Sequence, residues 1–133
     1  MMQTLAWDAK YDTGVDKIDD QHKKLFDQVN KLGKMLDSGV LSGPEVDQFV
    51  DFLGSYVTSH FSFEELCMRN MNCPVLEENK TAHKRFLDFF GSFKAKYDKD
   101  GSSRAILEKL HKSSSTWLVN HICKVDVNLR HCA

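Results

Sequence analysis

Apolar residues recur at intervals of three and four along most of the chain. Leu25, Phe26, Val29, Leu32, Met35 and Leu36 follow this rule, which puts them on one stripe of a helix turning every 3.6 residues. Asp19 and Asp20 precede the stripe and Ser38-Gly39 follows it. A first helix is therefore predicted over residues 19–37, entered through negative charge that complements its N-terminal dipole. Ser42-Gly43-Pro44-Glu45 has the spacing of a capping box with proline in the first turn. It opens a second helix, 43–70, carried by Val46, Phe49, Val50, Leu53, Tyr56, Val57, His60, Phe63, Cys67 and Met68. Asn72-Cys73-Pro74 breaks the pattern. A third helix, 76–98, then carries Leu76, His83, Phe86, Leu87, Phe90, Phe93 and Tyr97, and ends at the Asp98-Lys99-Asp100-Gly101 turn. Ser102 or Ser103 caps a fourth, 103–127, with Leu107, Leu110, Ser114, Trp117, Leu118, His121 and Val125 facing inward. Residues 1–18 show no helical period and read as an arm anchored by Trp7 and Tyr11.

Four helices joined by short turns specify an all-α fold. The most economical arrangement is an antiparallel up-down-up-down four-helix bundle with an N-terminal arm, residues 1–133 forming one domain. Composition agrees: 133 residues, 41% hydrophobic and 28% charged, can fill and cover one core, and only 2 prolines interrupt it. Eighteen Lys and Arg against nineteen Asp and Glu leave a net charge of -1, with no basic surplus for nucleic acid or anionic lipid. The first twenty residues lack the basic and apolar regions of a signal peptide. No apolar run reaches eighteen residues. A cytoplasmic protein is expected, its four cysteines Cys67, Cys73, Cys123 and Cys132 reduced and packed as small hydrophobes. The absence of a CxxC pair argues against a zinc ribbon or a thioredoxin-type motif.

The six histidines change the picture. Each predicted helix has one among its apolar positions: His22, His60, His83 and His121. In an antiparallel bundle these can converge. His60 and Glu64 are four apart and share a helix face. A carboxylate buried there without a cation would cost several kcal/mol. His121 and Asp126 are five apart, about 140° around an ideal helix. They can share a centre only where the helix distorts or ends near Val125. Imidazole and carboxylate donors without thiolate suit iron, with zinc or manganese as alternatives. A ferritin-like site would need two Glu-x-x-His motifs. The chain has only Glu108-Lys109-Leu110-His111, about 15 Å of helix from His121, so His111 and His131 are read as surface or boundary residues.

The combination of Trp7-Asp8-x-x-Tyr11-x-Thr13-Gly14-Val15-x-x-Ile18-Asp19-x-Gln21-His22, His60-x-x-x-Glu64, His83, and Trp117-Leu118-x-x-His121-Ile122-x-x-x-Asp126 resembles the hemerythrin family, in particular its bacterial members, over about residues 5–130. The resemblance implies a non-haem di-iron centre, bridged by oxo or hydroxo and carboxylate groups, that binds dioxygen inside a four-helix bundle. His22 and His60 would hold the iron that is open to dioxygen, His83 and His121 the other, with Glu64 and Asp126 bridging. Trp117 would line the pocket. The family's third helix normally supplies His-x-x-x-His, whereas this chain reads His83-Lys84-Arg85-Phe86-Leu87. Leu87 is therefore taken as a vacant ligand position lining the site. An incompletely ligated iron would autoxidise quickly. This points to an oxygen- or redox-sensing module, not itself an enzyme, responding to dioxygen or another small diatomic or anion. Such domains occur fused to a signalling output such as a diguanylate cyclase or a chemotaxis-receptor segment. The alternatives are a free-standing oxygen carrier and a di-iron oxidase or peroxidase.

Overall fold

The computed structural model describes residues 4–132. Its four helices are α1 Asp16–Asp37, α2 Pro44–Asn70, α3 Leu76–Asp100 and α4 Arg104–Lys124. A short 3-10 turn, Ala9–Tyr11, precedes them, and a second 3-10 stretch, Asp126–His131, follows. α1 packs against α2 and α4, and α3 packs against the same two, which is the ring of an antiparallel four-helix bundle. Among the described residues no helix is long and apolar enough to cross a membrane.

The helix ends differ from the sequence expectation where side-chain chemistry was misassigned. α1 starts at Asp16, before Asp19, with Val15 as N-cap. Asp19 ties down the arm, accepting from both the backbone N–H and the hydroxyl of Thr13 at 2.8 Å. The capping box at Ser42 does not form. Gly43 is the N-cap with φ 97° and no side chain caps the helix, so α2 begins one residue too late for Ser42 and Glu45 to reach each other's amides. Left-handed backbone at this position suits glycine. Ser103 caps α4 as expected, accepting from the Ile106 N–H at 3.3 Å. α4 stops at Lys124, short of residue 127, with Val125 as its C-cap at φ -117°, and the chain continues as the 3-10 stretch from Asp126.

The core is divided in two. The larger cluster runs from Tyr11, Leu25 and Phe26 through Val57, Phe61, Phe86, Leu118 and Ile122 to Leu107 and Leu110. The smaller consists of Ile18, Met68, Cys73 and Leu129. Each of α1 and α2 contributes to both clusters, and a polar layer lies between them. Fully burying such a side chain contributes roughly 1.5–3 kcal/mol, so the layer is held from both sides. His111 is a correction to the sequence reading: it is 3% exposed, placed on the inward stripe between Leu107 and Ser114. His131 is exposed as read.

The arm and the C-terminal stretch lock together. Trp7, Tyr11 and Phe26 form a triad with ring centroids 5.1–5.4 Å apart. The Arg130 guanidinium donates to the carbonyls of Ala9, Lys10 and Asp12. The expectation of four reduced cysteines is overturned, because the C-terminal stretch folds back on the α2–α3 turn and Cys73 and Cys132 form a disulfide, their Cα atoms 5.4 Å apart. Cys67 is half-buried, whereas Cys123 is exposed and packs in no core. The disulfide closes a sequence separation of 59 residues, a length at which a crosslink contributes about 2–4 kcal/mol. Cys132→Ser should lose that much in urea denaturation. A midpoint unchanged by the substitution and by reductant would contradict the bond.

Candidate metal centre

The polar layer between the two clusters is built by all four helices. α1 supplies His22, α2 His60 and Glu64, α3 Asn79 and His83, α4 His121, and the first residue beyond Val125 is Asp126. None is more than 6% exposed, so water cannot solvate them and each polar atom must be met from within. The four-residue step from His60 to Glu64 puts both on one face of α2. The five-residue step from His121 to Asp126 works because α4 ends at Lys124 and the chain turns at Val125, as the spacing required.

The two carboxylates divide their oxygens between two histidine pairs. Glu64 Oε2 lies 3.0 Å from His22 Nε2 and 3.4 Å from His60 Nε2, while Oε1 lies 3.2 Å from His83 Nε2. Asp126 Oδ2 lies 3.2 Å from His22 Nε2, and Oδ1 lies 3.0 Å from His121 Nε2. Two groups of ligand-type atoms result, His22, His60 and Glu64 in one, and Glu64, His83, His121 and Asp126 in the other. Both are buried, and Glu64 belongs to both.

Outer partners aim the rings. His60 Nδ1 donates to Gln21 Oε1 at 2.7 Å, and His83 Nδ1 to Glu65 Oε2 at 2.8 Å. Both contacts leave the Nε2 lone pair directed inward. Aromatic faces press on His83 and His121: Phe61 stacks on His83 at 3.9 Å, and Trp117 on His121 at 4.4 Å. Trp117 is half-buried, between the centre and an outer groove of about 650 Å³ that also reaches Arg85, Lys124 and His121.

Asn79 is the residue that sequence reasoning missed. Its amide N–H donates to Glu64 Oε1 at 2.8 Å, and its Oδ1 lies 2.6 Å from His121 Nε2. Leu87, read as the vacant position, packs at the edge of the apolar core and borders an outer groove with Glu65, Lys84 and His83, and no hydrogen-bonding group of its own reaches the carboxylates. The cause is direction along α3. Asn79 and Leu87 each stand one turn from His83, but the turn toward the N-terminus, Asn79, meets Glu64, and the turn toward Leu87 leads out of the centre. Gln21 and Glu65 were also without a role in the sequence reading. The available signals were their adjacency to His22 and Glu64 and the four-residue spacing of Asn79 from His83.

Burial alone would lower the pKa of His22, but hydrogen bonds and charge from Asp126 and Glu64 outweigh it and raise the value to about 10. His83 is raised too, against its burial, by Glu64 and Glu65. His60 is lowered, with burial dominating. Burial pushes Glu64 up, yet the surrounding His22, His60 and His83 hold it well below the usual carboxylate range. The metal-free centre thus keeps protons as its cations. Three of its buried atoms, His22 Nδ1, His83 Nε2 and Asp126 Oδ1, complete no hydrogen bond. Imidazole nitrogens and shared carboxylates around such atoms fit a pair of divalent metal ions, with iron favoured and zinc or manganese compatible.

The model of the hemerythrin HHE cation-binding domain matches residues 13–129. The chain belongs to this family. Bacteriohemerythrin of Methylococcus capsulatus is 32% identical over 126 residues, which span 94% of this chain and 93% of that protein. Bacteriohemerythrin of Clostridium acetobutylicum is 31% identical over 127 residues, covering 91% and 95%. The myohemerythrin of Theromyzon tessulatum is 26% identical over 120 residues, covering 90% and 86%. A crystal structure of wild-type hemerythrin superimposes with a TM-score of 0.80 at 29% identity, covering 96% of each chain. The hemerythrin-family match takes in every residue of the polar layer.

Two pH effects follow from the raised His22. Its folded-state value of about 10 exceeds the ordinary 6.5, so its stabilisation of the metal-free protein is complete below pH 6.5 and is lost as pH rises toward 10. Thermal denaturation of metal-free protein should show a falling midpoint across that window. Metal must displace the same proton, so affinity should rise about tenfold per pH unit for each proton released. Metal titrations in buffers from pH 6 to 8 measure this, and a pH-independent affinity would show that no proton leaves the centre.

Proposed function

We propose that the chain is a non-haem di-iron domain that binds dioxygen and acts as an oxygen- or redox-sensing module coupled to a signalling output. The supporting observation is the division of oxygens in Glu64 and Asp126 between two histidine pairs. His22 and His60 would hold one ion, His83 and His121 the other, and the carboxylates both. When bound, two ferrous ions supply a reducing, Lewis-acidic centre for a small diatomic ligand. The protein supplies the surroundings. A small apolar cavity of about 20 Å³, lined in part by Leu25, Val57, Phe61, Trp117 and Leu118, adjoins the layer, a size on the order of one water molecule. Two of its lining rings, Phe61 and Trp117, stack on His83 and His121, so the cavity lies against the layer on its apolar side.

Sensing is favoured over carriage by the second pair. It has two imidazoles where the family resemblance implies three, and His121 borders the open groove that Trp117 also lines. A carrier must keep water and protons away from its bound ligand for long periods, whereas a sensor must change state readily. Ferrous protein prepared without air should develop a charge-transfer spectrum when air is admitted and lose it on the order of minutes. A spectrum stable for hours would overturn the sensing role. The absence of any spectral response would overturn dioxygen binding itself.

A further inference from the structure

α3 presents Asn79 and His83 at the same four-residue spacing with which α2 presents His60 and Glu64. Both α3 residues are buried, Asn79 at 0% and His83 at 1% exposure. The orientation of the amide follows from its neighbours. One end faces Glu64 Oε1 at 2.8 Å and Met68 Sδ at 3.2 Å, a carboxylate and a thioether, neither of which can donate. That end must be the N–H₂ group, so the oxygen is the end that faces His121 Nε2 at 2.6 Å.

In the metal-free protein the His121 Nε2 proton fills the gap between these two atoms. The nitrogen donates it to the amide oxygen, and once the proton has left, both atoms offer a lone pair to the gap. A cation that replaces the proton therefore meets the imidazole nitrogen and the amide oxygen together. Asp126 Oδ1 lies 3.0 Å from the same nitrogen, and Glu64 Oε1 lies 3.2 Å from His83 Nε2. Separations near 3 Å are those of neighbouring donor atoms around one ion with bonds of about 2.0–2.2 Å.

We infer that Asn79 is a protein ligand of the ion held by His83 and His121, donating its amide oxygen while its N–H₂ group holds Glu64 in place. The inference rests on the two-metal reading above. It makes the two positions chemically unequal: the His83–His121 position gains an oxygen donor, which shifts it toward harder cations. Leu87 lines the outer groove beside Glu65, the partner of His83 Nδ1, so the donor next to His121 is the weak amide oxygen of Asn79.

Cobalt(II) titration of metal-free protein, read by bound ions per chain and by the ligand-field absorption of each ion, tests this without any dioxygen reaction. The wild type should take two ions with distinguishable spectra. Asn79→Leu, similar in size but without polar atoms, should weaken one ion about tenfold or more and shift the other spectrum only slightly, through the shared Glu64. Asn79→His should hold two ions, with the altered position tighter and its bands shifted. Leu87→His should change neither count nor spectrum. Circular dichroism of each metal-free variant reports folding, and Asn79→His keeps the test open should Asn79→Leu fail to fold. If the Asn79 variants bind both ions with wild-type affinity and spectra, Asn79 is no ligand and the inference fails while the two-metal reading stands. If the wild type binds fewer than two ions, both fail.

Discussion

The structure depends on the burial of two carboxylates. Glu64 and Asp126 are essentially without solvent exposure, and an ionised group in that position is tolerable only when opposite charge and hydrogen bonds replace its water. Everything around them supplies that replacement. Four imidazoles approach from four helices, Asn79 donates to Glu64, and two apolar clusters close the layer from either side. A bundle is suited to this task because it brings one side chain from each of several helices to a common level without requiring any backbone polar group to be left unmatched. Protons carry the positive charge in the metal-free chain, and divalent ions can take their place because the same lone pairs face the same points.

Much of this arrangement was legible in the amino-acid order. His60 and Glu64 could be placed on one face because the helix period fixes the relation of residues four apart. The pairing of His121 with Asp126 was legible only as a condition, that the helix must end near Val125, and the backbone there meets it. The partition between buried and solvated histidine was less clear. His111 falls on the inward stripe of α4, yet a titratable residue far from the cluster gave no reason to bury it, and burial now lowers its pKa.

Two features were not legible for physical reasons. The Cys73–Cys132 bond joins residues 59 apart in sequence, and nothing local to either cysteine indicates that the C-terminal stretch returns to the α2–α3 turn. Asn79 was hidden by its chemistry. An asparagine between Glu78 and Lys80 reads as a solvated side chain, and a histidine has two neighbours one turn away along its helix, only one of which meets a partner. Reading His83 as the first member of the family's His-x-x-x-His spacing pointed to Leu87, whereas the neighbour of His83 that meets the carboxylate stands one turn the other way.

Asp126 differs from the other members of the centre in how it is positioned. The histidines and Glu64 stand on long helices whose geometry is set by local hydrogen bonds and by packing over many turns. Asp126 stands on a 3-10 stretch of 6 residues, too short to hold itself. Its place is imposed from outside: Leu129 is buried against Ile18 and Met68, Cys132 is bonded to Cys73, and Arg130 grips the carbonyls of the arm. The arm is in turn fixed by Thr13 on Asp19 and by Trp7 and Tyr11 on Phe26. One of the two carboxylates therefore owes its position to contacts that form only when both ends of the chain have docked. The non-helical ends of the sequence, which contribute least to the bundle, complete the centre.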